Sequence, residues 1–102
     1  MTEFRQGQII KMSGQKLRFL IVSNNAFIDA TGVFHVCRVP EDIPEGPLHI
    51  PVSGVSGFSG TVICEQMKMI DPGKRSCMII DSLPYYMVMN VSDAIQGIFE
   101  YD

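Results

Sequence analysis

Residues 17–23 read LRFLIVS, an apolar run with a single charge near its start. In an extended chain, alternation puts Arg18, Leu20 and Val22 on one face and Leu17, Phe19, Ile21 and Ser23 on the other. Both faces are apolar, as in a strand covered on two sides, so this strand is expected at the centre of its sheet. Arg18 is the exception, at the strand's first turnward position. Its planar guanidinium has two uses there. It can snorkel to solvent while its stem seals the end of the core, or it can hold a phosphate through its fork of donors. Spacing alone leaves both open.

Working outward, turn signals recur at short intervals with β-rich runs between them, the pattern of a small barrel. GQIIKM (7–12) reads as a first strand closed by Ser13-Gly14, and VFHVCRV (33–39) as the strand after LRFLIVS. The connection NNAFIDATG (24–32) carries Asn, Asp and Gly suited to a turn. PLHIPV (47–52), among Pro44, Pro47 and Pro51, belongs at an edge because proline cannot donate to a ladder. GTVICEQM (60–67) and RSCMIID (75–81) complete the strands, with Asp71-Pro72-Gly73 as a turn between them.

From residue 83 the period changes. Val88, Val91, Ile95, Ile98 and Phe99 recur at spacings of three and four, one face of a helix. Ser82 is placed to cap it, with Pro84 in the first turn. Ser92, Asp93 and Gly97 weaken the segment and allow a break near Asn90. The expected fold is mainly β with a C-terminal α-helix, a small barrel forming one domain over residues 1–102.

The 102 residues are 46% apolar and 19% charged, a composition for a globular core. A formal net charge of −3 argues against a general electrostatic coat for nucleic acid, though not against a local basic patch. Lys11, Lys16 and Arg18 group near one turn, and Lys68, Lys74 and Arg75 near another. These two groups either meet or remain separate solvated turns. The opening MTEFRQG is too polar for a signal peptide, and no apolar run approaches the roughly 18 residues of a membrane span, so a cytoplasmic protein is expected.

Few residues carry obvious chemistry. Cys37, Cys64 and Cys77 lie in apolar runs without C-x-x-C spacing, so buried reduced thiols are expected. His35 and Cys37 share a strand face, but His49 stands apart among prolines and no complete ligand set appears, so no metal or cofactor is expected. A Cys–His nucleophile lacks a group to orient its base. In PEDIPEG (40–46), Glu41, Asp42 and Glu45 offer either a general base or a solvated loop.

Taken in order, these motifs resemble the MazF/PemK/Kid toxin family of toxin–antitoxin systems, which shares its fold with CcdB. LRFLIVSNNAFIDATG resembles the family's arginine-led apolar run with S/T-N and TG. SGFSGTVICEQMKMIDPGKR and LPYYMVMNVSDAIQGIF are similar to its later strands and C-terminal helix. The resemblance implies an SH3-like barrel with a C-terminal helix, forming a homodimer that binds a short acidic antitoxin segment and cuts single-stranded RNA without metal. An arginine and a threonine assist attack of the RNA 2′-OH on phosphorus. Arg18 corresponds to that arginine, while Lys16, Lys74 and Arg75 are candidates for flanking phosphates.

Pro40 falls where the family's catalytic threonine stands, and Phe19 replaces its proline. The resemblance therefore leaves Arg38 or Glu41 as candidates to replace the threonine, with a binding module that has lost catalysis as the alternative. A gyrase-inhibiting role of the CcdB type would use a C-terminal tryptophan, and this chain has none.

Overall fold

The computed structural model describes residues 3–101; residues 1, 2 and 102, at the ends of MTEFRQG and IFEYD, lie outside the described residues. The elements in order are β1 (Gln8–Met12), β2 (Arg18–Ile21), α1 (Asn25–Thr31), β3 (Phe34–Arg38), β4 (His49–Ser53), β5 (Ser59–Ile63), β6 (Met67–Ile70), β7 (Cys77–Ser82) and α2 (Tyr85–Ile98). One antiparallel sheet has the order β6-β3-β2-β1-β7, and β4 pairs with β5 in a second.

β2 is the central strand of the larger sheet, and its alternation divides the core. Phe19 and Ile21 pack with Phe4, Ile10, Phe34 and Val36, under Ile28 of α1. Leu20 and Val22 face the other way, against Val52 and Val62 of the second sheet and Val91 of α2. A strand buried on both faces must be apolar on both, which is what LRFLIVS supplies.

Four details differ from the sequence reading. The barrel is not closed: two separate sheets pack together, and just past β3 the Pro40 carbonyl accepts the Thr61 amide N–H of β5 at 2.8 Å. GTVICEQM is not one strand, because a turn in which the Gln66 N–H donates to the Ile63 carbonyl (3.2 Å) sends its two ends into different sheets.

NNAFIDATG is not a simple turn but contains α1. The Asn24 side chain accepts the Phe27 N–H, and Gly32, at φ 74°, ends the helix by donating to the Ile28 carbonyl. Asn and Gly here are start and stop signals of a helix.

Finally, Ser82 belongs to β7 and caps nothing; Pro84 occupies the N-cap of α2, which runs unbroken through Asn90. Of the apolar face read from the sequence, Val91 is buried and Val88 and Ile95 pack on the core, whereas Ile98 and Phe99 are exposed.

A buried carboxylate fastens the β4–β5 hairpin to β7. Asp81 accepts backbone N–H bonds from Ser56 and Phe58 at 2.9 Å and from Ser82 at 2.8 Å. Burial alone would raise its pKa, but these donors outweigh that and hold it below the ordinary 3.8. Gly54 is required beside it, since a Cβ there would lie 2.0 Å from Asp81 Oδ2.

Cys37 and Cys64 are free and buried, and burial chiefly pushes their thiols up to about 12 and about 11, so neither is a ready nucleophile. Cys77 is only half-buried, because β7 is an edge strand.

Candidate functional site

The β2–β3 pairing builds the candidate site. Phe19 pairs with Arg38, and the Val39 N–H donates to the Arg18 carbonyl at 2.9 Å. Arg18 and Arg38 thus leave opposite faces of neighbouring strands at the same end of the sheet. Both line an open cleft of about 450 Å³, together with Lys16, Leu17, Val39, Pro40, Glu41, Asp42 and Ile43.

Within the cleft the charges are loosely held. Arg18 Nη1 donates to the Lys16 carbonyl at 2.6 Å, which folds the guanidinium back over its own turn. Arg38 Nε is buried and, among the described residues, has no hydrogen-bond partner. An unpartnered buried donor costs free energy in the empty protein and can be satisfied by an incoming acceptor. Neither Glu41 nor Asp42 forms an ion pair among the described residues, although both share the cleft with three cations. The cleft can therefore hold an anion against Lys16, Arg18 and Arg38 while a carboxylate remains available to take a proton.

Lys16, Arg18, Arg38 and Glu41 are brought together. Lys74 and Arg75 are not: they are exposed in the β6–β7 connection, tied to the Asp71 carbonyl by their backbone N–H groups, and do not line the cleft. Lys68 lies in β6 rather than a turn, its ammonium 4.6 Å from the centre of the Phe19 ring, a cation–π contact on the larger sheet.

Pro40 lacks both hydroxyl and N–H, and its carbonyl is committed to Thr61. The TG pair is structural, Thr31 Oγ1 donating to the Phe27 carbonyl while Gly32 ends α1. His49 contacts Glu65 at 3.2 Å, and no group of three or more metal-ligating side chains gathers among the described residues. No helix among them is long and apolar enough to cross a membrane.

What sequence reasoning missed is Arg38's buried, unpartnered Nε. A basic residue inside VFHVCRV was the only available signal, since its burial depends on the register with Phe19.

No protein-family model and no curated protein matches the chain. Solved structures do. A MazE–MazF complex from Deinococcus radiodurans aligns over 100% of both chains with a TM-score of 0.82 and 17% identity. An endoribonuclease from a mycobacterial species aligns over 95% of this chain and 91% of its own, with a TM-score of 0.78 and 18% identity. A mycobacterial endoribonuclease in complex with its cognate antitoxin aligns over 97% and 99%, with a TM-score of 0.73 and 17% identity. The two-sheet order, the central β2 and the terminal α2 thus give this chain the fold of the MazF toxins.

Proposed function

We propose that this chain is the toxin of a toxin–antitoxin pair, a ribosome-independent endoribonuclease that cuts single-stranded RNA in the cytoplasm. The observation that carries this reading is the convergence of Lys16, Arg18 and Arg38 on one cleft with an unpaired Glu41. RNA brings its own nucleophile, so the protein need supply only electrostatics and a proton acceptor.

Glu41 takes the proton of the ribose 2′-OH, and the freed oxygen attacks the adjacent phosphorus. Arg18 and Arg38 hold the equatorial oxygens as negative charge builds. The bond from phosphorus to the 5′-oxygen breaks, that oxygen takes a proton from water, Glu41 returns its own to solvent, and a cyclic phosphate and a 5′-hydroxyl result. In this scheme the Glu41 carboxylate supplies what Pro40 cannot. Lys16 holds a flanking phosphate; Lys74 and Arg75 reach further phosphates only if the strand extends beyond the cleft.

The MazE–MazF and endoribonuclease–antitoxin complexes support an antitoxin partner, a short acidic segment laid over the basic cleft. Exposed Tyr85, Tyr86 and Met89 on α2 support a second copy as a further partner. Pro40 favours one other reading, a module of the same fold that binds RNA or protein without cutting it.

Inducing the chain alone in bacteria and mapping RNA 5′ ends separates the two. Growth arrest with new cuts at a recurrent sequence, absent with Arg18→Ala, supports the nuclease. RNA recovered bound and intact supports the binding module, and gyrase-trapped DNA breaks would contradict both.

A further inference from the structure

At the other end of β2 lies a groove of about 320 Å³ that the cleft chemistry does not use. Its walls are Val22, Phe27, Met67, Ile95 and Phe99, and no Lys, Arg, Asp or Glu lines it. The Phe27 and His35 rings stand 5.2 Å apart at 42°, and Phe99 is 75% exposed at the groove.

Three polar side chains line the same space, each fixed through one atom and uncommitted at another. Asn24 spends Oδ1 on the Phe27 N–H at 2.8 Å, leaving its amide donors. Gln96 spends Nε2 on Ser92 Oγ at 3.1 Å, leaving Oε1 as an acceptor. His35 Nδ1 lies 2.8 Å from Ser23 Oγ, which orients the ring and leaves Nε2.

Apolar and aromatic walls, a few convergent hydrogen-bonding groups and no charge suit a flat, neutral, hydrogen-bonding ring. We infer that this groove is a nucleobase site, taking a purine between Phe99 and the Phe27–His35 pair, with its edge read by Asn24, His35 and Gln96. Without a Lys or Arg the groove offers a phosphate no fixed countercharge, so the ligand is the base itself, as a free nucleoside or within a strand whose phosphates are held elsewhere. The site lies about 13 Å from Arg18 along the strand, at about 3.3 Å per residue. It does not depend on what the Arg18 cleft does.

Fluorescence titration of the full chain with 2-aminopurine riboside tests this without a phosphate in the probe. Saturable quenching is expected. Phe99→Ala, at an exposed position, weakens binding about tenfold through lost stacking. Gln96→Ala, on the exposed face of α2, weakens it about fivefold through one lost hydrogen bond. No saturation at millimolar probe, or equal binding by wild type and both variants, would overturn the site. So would toluene competing as strongly as adenosine, since the groove would then be merely apolar. A single-stranded RNA carrying one 2-aminopurine distinguishes the source: binding tighter than the riboside marks a base held within a strand, and weaker binding marks a free nucleoside. Because the probe lacks phosphate, its failure leaves the cleavage reading intact, and loss of cleavage leaves this site intact.

Discussion

Two carboxylates, Asp81 and Glu41, show how the same chemical group is bound by backbone donors in one region and left exposed beside cations in another. Asp81 is buried and accepts three backbone N–H bonds, so its charge is consumed in holding the β4–β5 hairpin to β7. Glu41 is exposed, makes no ion pair among the described residues, and shares a cleft with Lys16, Arg18 and Arg38. A charge whose partners are all internal has nothing left for a ligand. Unpaired opposite charges in one cleft are matched only when something enters.

The sharpest break in this comparison is at Asp81. Asp81→Ala is expected to cost about 3 kcal/mol by leaving backbone donors without their acceptor. Gly54→Ala should fall close behind, because its methyl would collide with the same carboxylate. Urea unfolding monitored by circular dichroism checks both. Equal stability of wild type and Asp81→Ala would show that the hairpin is held by other contacts.

Glu41→Gln should do the reverse. It is expected to lower RNA cleavage about 100-fold, as loss of a general base does, while leaving unfolding within about 0.5 kcal/mol. Initial rates and urea midpoints measured on the same preparation separate these effects.

Acid sharpens the contrast. The Asp81 pKa is depressed in the folded protein, so its contribution to stability is fully present above 3.8. It is lost as pH falls below that value and through the lower folded pKa. Wild type should therefore lose more stability than Asp81→Asn between about pH 5 and pH 2 in thermal melts. Parallel losses would remove the carboxylate from the account.

The smallest effect is at Gly97. A Cβ there meets nothing within 4 Å, and the residue lies in the last turn of α2. Gly97→Ala should stabilise by about 0.5 kcal/mol, since alanine gives up less backbone freedom in a helix.

The legible parts of the molecule were those fixed by short-range periodicity. Alternation in LRFLIVS places β2 at the centre of the sheet, and the three–four spacing locates α2. α1 was hidden because Asn24 and Gly32 are turn residues as well as helix caps, and only Ile28 of that helix is buried. The division of GTVICEQM was hidden because its turn at Cys64-Glu65 carries neither Gly nor Pro.

The residues of the candidate site were legible one at a time. Arg18 stands out as the one charge in an apolar strand and matches the family's arginine, and Arg38 and Glu41 come from the gap left by Pro40. Their common cleft depends on the β2–β3 register, a long-range fact. The groove was less legible still, because α2 brings Gln96 and Phe99 to His35 from far along the chain.

Cleavage at the Arg18 cleft, as proposed, uses the RNA's own 2′-OH. The direct measurement is the reaction of purified chain, in excess chelator, with a single-stranded RNA and with the same strand carrying 2′-deoxy sugars throughout. The account predicts a cyclic-phosphate product from the RNA, none from the deoxy strand, and at least a 100-fold loss with Arg18→Ala, as expected when a donor to developing charge is removed. Cleavage of both strands, or unchanged cleavage by Arg18→Ala, would contradict it.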